Sequence, residues 1–205
     1  MKKVFILLGA IFTALPAFSQ GRGNIEASLN IGYNSSSVDS DYYGMSGFRS
    51  GFNAAAGLDF YINHTWSIKV KGIYDRKGFN DVLFTDYYGN TYATNIQMDY
   101  VTIPVLATVH FGPSKNWYIH AGPYVGFLTN AKDARYNVDV KQDFNSTDAG
   151  AAFGLGVKVP VSNMVRLFFE YDGQAGFAEV YKQPYDGYNT TVRSSFNFGV
   201  NFLVK

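Results

Sequence analysis

From residue 25 onward the chain alternates apolar and polar positions with a period of two. Ile25, Ala27, Leu29, Ile31 and Tyr33 share one parity, while Glu26, Ser28, Asn30 and Gly32 share the other. This is strand periodicity, and no 3.6-residue repeat competes with it. The pattern returns seven times, led in turn by Phe52, Ala54 and Leu58; Trp66, Ile68 and Val70; Val101, Ile103 and Val105; Trp117, Ile119 and Ala121; Ala151, Phe153 and Leu155; Val165, Leu167 and Phe169; and Phe196, Phe198 and Val200. Ile73, Leu106, Leu128, Phe168 and Leu203 break it by falling on the polar parity, and Gly72 and Ser194 by falling on the apolar one. The result is eight strands of roughly nine to twelve residues, a length that suits a tilted strand crossing a bilayer.

The connections alternate too. Short ones fall at 63–65, 112–116 and 160–163, and long ones at 34–50, 79–95, 129–147 and 175–191. Short turns at one end and long loops at the other make an all-β, eight-stranded antiparallel up-and-down transmembrane β-barrel. The short turns and both termini are expected in the periplasm, and the long loops outside the cell.

Alternation alone does not say which face looks outward, because a lipocalin also has eight strands, with an apolar interior. Bulk decides it. An eight-stranded barrel has an interior just wide enough for side chains to fill. The face carrying Phe52, Phe60, Trp66, Tyr74, Phe111, Trp117, Phe153, Phe169, Phe196 and Phe202 is too large for that space, whereas the other face is rich in Gly, Ser, Asn and Thr. Strand charges also fall mostly on the small-residue face with balanced sign: Glu26, Asp59, Asp75, Glu170 and Asp172 against Lys69, Lys71, Lys158, Arg166 and Arg193. Buried charges must be paired, so a mixed-sign network filling a closed lumen is expected. Trp66 and Trp117 follow short turns, while Tyr33, Phe52, Tyr74, Phe127 and Tyr171 lie near long loops, as two interfacial girdles would.

Composition agrees with lipid as the solvent. Aromatic residues make up 18% of the 205 residues and charged residues 16%, with a net charge of +1, against about 25% charged in ordinary soluble domains. Near-neutral charge argues against nucleic acid, which requires a basic patch. The absence of cysteine excludes disulfides, thiolate metal sites, thiol catalysis and a lipidated N-terminal Cys. Lys2 and Lys3, the apolar run 4–14, and Ala17 and Ser19 read as a secretory signal peptide over 1–19, cleaved before Gln20. The domain then spans 20–205.

Three local patterns carry a family resemblance: Arg76-Lys77-Gly78, Tyr100-Val101-Thr102-Ile103-Pro104 and Ala121-Gly122-Pro123-Tyr124. The chain resembles the small outer-membrane β-barrel family common in Bacteroidetes, the PorT-like group of the wider OmpA/OmpX-type barrels. The resemblance implies tolerance of Pro104 and Pro123 inside strands, where each removes a ladder donor. It brings no catalytic residues. Such barrels often end on an aromatic residue read by the assembly machinery, whereas this chain ends Phe202-Leu203-Val204-Lys205.

Little else points to chemistry. His64, His110 and His120 all fall toward the short-turn end and read as lumen or turn residues, although a Ser-His-acid set needs only to meet in space. No His-x-x-x-His spacing or carboxylate-rich calcium loop occurs, and Gly154-Leu155-Gly156 sits within a strand rather than opening a helix. No catalytic, cofactor-binding or metal site is therefore expected. Asp41-Tyr42-Tyr43-Gly44 recurs as Asp86-Tyr87-Tyr88-Gly89 and is echoed by Tyr185-Asp186-Gly187-Tyr188. Clustered loop tyrosines offer rigid amphipathic contact area or an extension of the girdle. The expected protein is a monomeric outer-membrane barrel with a filled lumen and a structural, adhesion or envelope-interaction role. Its expected partners are outer-membrane lipids, lipopolysaccharide and the barrel assembly machinery. A receptor for an extracellular protein or glycan, a lipid-modifying enzyme and a narrow porin are the alternatives.

Overall fold

The computed structural model describes residues 24–41, 44–85, 91–183 and 187–204. The segment 1–19 expected to be a signal peptide and Tyr42, Tyr43, Tyr87, Tyr88 and Tyr185 lie outside them. Ten strands follow in chain order: β1 (Ile25–Ser40), β2 (Gly44–Met45), β3 (Gly47–Tyr61), β4 (Trp66–Thr85), β5 (Thr91–Phe111), β6 (Trp117–Asp133), β7 (Val138–Asp139), β8 (Thr147–Pro160), β9 (Val165–Gly176) and β10 (Asn189–Leu203). Eight are long, and β2 and β7 are two-residue additions on β1 and β6. Each long strand pairs antiparallel with the next, and β10 returns to β1 from Glu26↔Leu203 to Ser40↔Asn189. That last pairing closes the sheet into a barrel without an edge.

The strands are longer than the apolar alternation implies. β4 has 20 residues, β5 has 21 and β6 has 17, against the nine to twelve expected. All the extra length lies at the long-loop end. The expected loop 34–50 is mostly ladder, since Ser36 pairs with Arg49, and 79–95 holds the ends of β4 and β5. The reason is physical: there the outer face no longer needs apolar side chains, so Ser35, Ser36, Ser37 and Asp39 keep pairing after the alternation has stopped, while Val38 turns inward into a buried apolar cluster. By contrast, 134–146 and 177–188 remain connections, joined by the Phe144↔Tyr181 bridge.

The large apolar face is the outer one. Ile31 is 69% exposed and Phe196 is 68%, and Phe52, Trp66, Trp117, Phe153 and Phe169 are likewise exposed. Outward aromatics pack across strands, with Phe169 and Phe198 centroids 5.0 Å apart and those of Tyr171 and Phe196 5.1 Å apart. Inside, the small residues make room for large ones. A Cβ on Gly156 would strike the Tyr118 ring, and one on Gly199 would meet the Phe168 ring and the Leu29 carbonyl. The apolar exceptions to the parity, Ile73, Leu106, Leu128 and Phe168, are buried in this same interior. Pro104 borders and Pro123 lies within a gap in the β5–β6 ladder, which runs to Pro104↔Tyr124 and resumes at Ala107↔Ala121.

Candidate functional site

The lumen is lined by residues two apart on each strand, so alternate positions of β1, β3, β4, β8, β9 and β10 converge on one narrow space. Toward the short-turn end, Lys71 Nζ lies between Glu170 and Asp172, 3.0 Å from the latter. Lys69 reaches Glu170 at 3.3 Å, and Lys158 reaches Glu26 at 2.6 Å and Asp59 at 3.5 Å. Arg166 completes this layer by pairing with Glu26. Toward the long-loop end, Arg193 Nε meets Asp75 at 2.7 Å and Lys77 meets Asp148 at 3.6 Å. Six cations thus face six carboxylates through these pairs. Matched sign is what low-dielectric burial requires, because an unpaired charge there is costly.

Neutral groups complete the network. Tyr118 donates to Glu170 at 2.8 Å, Tyr124 donates to Asp148 at 3.1 Å, and Thr191 donates to Asp148 at 2.8 Å. The Asn34 amide donates to Asp75, and Lys77 also donates to Gln174 at 2.9 Å. Tyr61, His110, Tyr118 and His120 form a column of neighbouring rings, with Lys69 4.2 Å from the Tyr118 centroid. Such cation–π contacts add to pairing where water is scarce.

All ten charges expected in the lumen are there. Two more, Lys77 and Asp148, were missed because they lie just beyond the apolar runs, although each keeps the parity of Asp75 and Gly150. Continuing the parity two residues further would have found both.

The histidines separate. His64 is exposed in a turn, whereas His110 and His120 are buried. Among the described residues, the closest approach to a nucleophile–base pair is His110 Nε2, 2.9 Å from Ser67 Oγ. No acid completes it, since His110 Nδ1 has no hydrogen-bond partner, and Ser67 is itself buried. His120, Glu170 and Asp172 place ligand atoms within 4.8 Å of one another, as a metal site would. However, His120 Nε2 is bonded to Asp172 at 2.8 Å, and the Lys71 ammonium already stands between the two carboxylates. The Lys71 ammonium thus takes the place a cation would fill between the two carboxylates, while His120 Nδ1 has no hydrogen-bond partner.

The outer end is closed differently. Val38, Phe79, Ile96, Met98, Tyr100, Leu128, Ala131, Phe144 and Val180 form one buried apolar cluster, with Val140 and Tyr181 against it. Phe144 and Val180 come from the two remaining loops, which fold over the mouth of the barrel. Asn145 fastens them by donating to the carbonyls of Glu179 and Tyr181 at 2.8 and 3.0 Å. Burial pushes the Tyr181 phenol up to about 12, with Glu179 adding to the effect, so it packs there uncharged.

A closed barrel with apolar walls, aromatic girdles and a neutral-sum charged lumen belongs in a membrane. Residues 18–182 match the family of the outer membrane protein beta-barrel domain. The chain belongs to that family. Among solved structures, Neisserial surface protein A superposes with a TM-score of 0.52 at 15% identity, over 86% of this chain and 96% of its own. OprG of Pseudomonas aeruginosa gives 0.50 at 11% identity, over 89% and 97%. Ail of Yersinia pestis, solved with the heparin analogue sucrose octasulfate, gives 0.46 at 16%, over 89% and 100%. At these identities the likeness is one of fold. No curated protein matches the sequence. Family membership makes the apolar outer face a lipid-facing one, in a protein of the outer membrane.

Proposed function

We propose that the protein is a non-conducting, monomeric barrel with a structural and envelope-interaction role, exported by its 1–19 signal peptide and belonging to the PorT-like group of Bacteroidetes. The observation that carries this reading is double closure: six paired cations and carboxylates fill the lumen, and an apolar cluster of strand residues joined by Phe144 and Val180 from two loops covers its mouth. The Arg76-Lys77-Gly78 and Ala121-Gly122-Pro123-Tyr124 motifs support the narrower family. In this reading the protein acts without catalysis, cofactor or resident metal, binds no nucleic acid, and meets lipopolysaccharide and the assembly machinery as partners. Its long-loop end faces outward, presenting exposed Tyr136, Phe177 and Tyr188 for contact. A receptor reading shares this surface and adds a protein or glycan ligand.

The role is tested in cells by replacing 134–146 and 177–188 with tight turns and comparing attachment and envelope integrity with the wild type. Loss of either while the barrel still folds, judged by its heat-dependent gel mobility, supports the reading. Unchanged attachment and integrity overturns it. Orientation is read separately from single cysteines in this cysteine-free chain. Gly89→Cys should react with an impermeant maleimide on intact cells, and Ser114→Cys only after the outer membrane is opened.

A further inference from the structure

The inner plug is neutral only while its histidines are. Toward the short turns Lys69, Lys71, Lys158 and Arg166 face Glu26, Asp59, Glu170 and Asp172, four cations against four carboxylates. Two imidazoles are buried in the same layer, and their surroundings differ. His120 Nε2 already lies 2.8 Å from Asp172, so a proton there lands beside an anion. His110 has no such neighbour. Its Nε2 meets the neutral hydroxyl of Ser67, its Nδ1 has no hydrogen-bond partner, and among the described residues no carboxylate pairs with either nitrogen.

What surrounds His110 instead is aromatic and cationic. The residue is 1% exposed, and its ring stacks on that of Tyr61 from β3 at 4.8 Å, with the Tyr118 ring from β6 5.9 Å away. Lys158 from β8 lies 5.2 Å from the Tyr61 centroid and 5.4 Å from that of Tyr118, and Lys69 from β4 lies 4.2 Å from the latter. The carboxylates of this corner are taken. Asp59 from β3 stands between Lys69 at 3.9 Å and Lys158 at 3.5 Å, and Glu26 from β1 holds Lys158, Arg166 and the Tyr61 hydroxyl. An imidazolium at this position would be a third cation against two rings that already carry two, and a fifth in a buried layer with four carboxylates.

We propose that His110 is an acid-sensitive wedge in the inner plug: on taking up a proton it loosens the short-turn half of the lumen while the outer cap stays closed. Histidine is the side chain suited to this, because its ordinary titration range lies between neutral and mildly acid pH. Water reaches the layer from the short-turn side, where the Arg166 side chain is 38% exposed, whereas Val38, Phe79 and Phe144 seal the other end. The device therefore reads the pH at the short turns, the periplasmic side in the orientation given above, which the maleimide experiment tests independently.

Denaturant unfolding of the purified protein in lipid vesicles tests it, in the wild type, in His110→Gln and in His64→Gln, whose histidine is exposed in a turn. Lowering the pH from about 7.5 to about 5.5, across the ordinary imidazole range, should shift the wild-type unfolding equilibrium about tenfold further toward the unfolded state than that of His110→Gln. His64→Gln should follow the wild type. Coincident pH profiles for the wild type and His110→Gln overturn the proposal. A second readout needs no substitution: over the same range amide protection at Ser67 and Tyr118 should fall, with protection at Asn145 and Tyr181 in the cap retained. Protection lost equally at both ends, or at neither, overturns it.

Discussion

The two ends of the barrel are closed by opposite means. Toward the short turns the lumen is filled by ion pairs, with Lys71 wedged between Glu170 and Asp172 and Lys158 between Glu26 and Asp59. Toward the long loops, beyond the Arg193–Asp75 and Lys77–Asp148 pairs, it is covered by the apolar side chains of Phe79, Met98, Phe144 and Val180. The difference follows from what each region must exclude and from what builds it. Strand residues facing a narrow interior cannot be large and apolar throughout without overfilling it, so long charged side chains interleave with glycines. At the outer end the inward strand residues Val38, Phe79, Ile96 and Met98 are themselves apolar, and with Phe144 and Val180 from the loops they bury apolar surface as any small core does. A charged plug is held by matched partners, and an apolar cap by shape. The two should therefore fail differently.

The largest effect is expected where one carboxylate serves most partners. Glu170→Ala leaves Lys69 and Lys71 short of an anion and Tyr118 without its acceptor, and should cost about 3–5 kcal/mol. Denaturant unfolding in lipid vesicles measures it. A loss below about 1 kcal/mol would mean that water already screens the lumen. Phe144→Ala should remove about 3 kcal/mol from the outer cap alone. Its signature is faster amide exchange at Asn145 and Tyr181, with exchange in β8 and β9 unchanged; loosening that spreads down the strands would make the cap and plug one unit. The smallest effect belongs to the outer wall, where Phe169→Ala loses its pairing with Phe198 and should cost about 1 kcal/mol, because lipid replaces part of the contact.

Much of this was legible in the sequence because one constraint acts on every second residue. Phe52, Trp66 and Phe196 announce the outer wall, and Glu26, Lys71 and Glu170 the lumen, through parity alone. Parity also ordered the strands, since only an even meander joins short turns to long loops. It could not say where strands end. Ser36 and Asp39 pair with β10 where the outer face is no longer apolar, so the period-two signal is lost although Val38 beside them is buried in the cap. Nor could it pair specific charges: Lys77 and Asp148 are 71 positions apart in sequence and meet only across the closed lumen. The outer cap was hidden for the same reason. Phe144 and Val180 sit in loops with no periodicity, and their partner Phe79 fell in a segment expected to be a loop.

The central claim is that matched lumen charge and the apolar cap together leave no continuous path through the barrel. Single-channel recording of the purified protein in a planar bilayer tests it most directly. The account predicts no persistent conductance from the wild type across the voltage range in which the bilayer is stable. A steady open level in the wild type would contradict it.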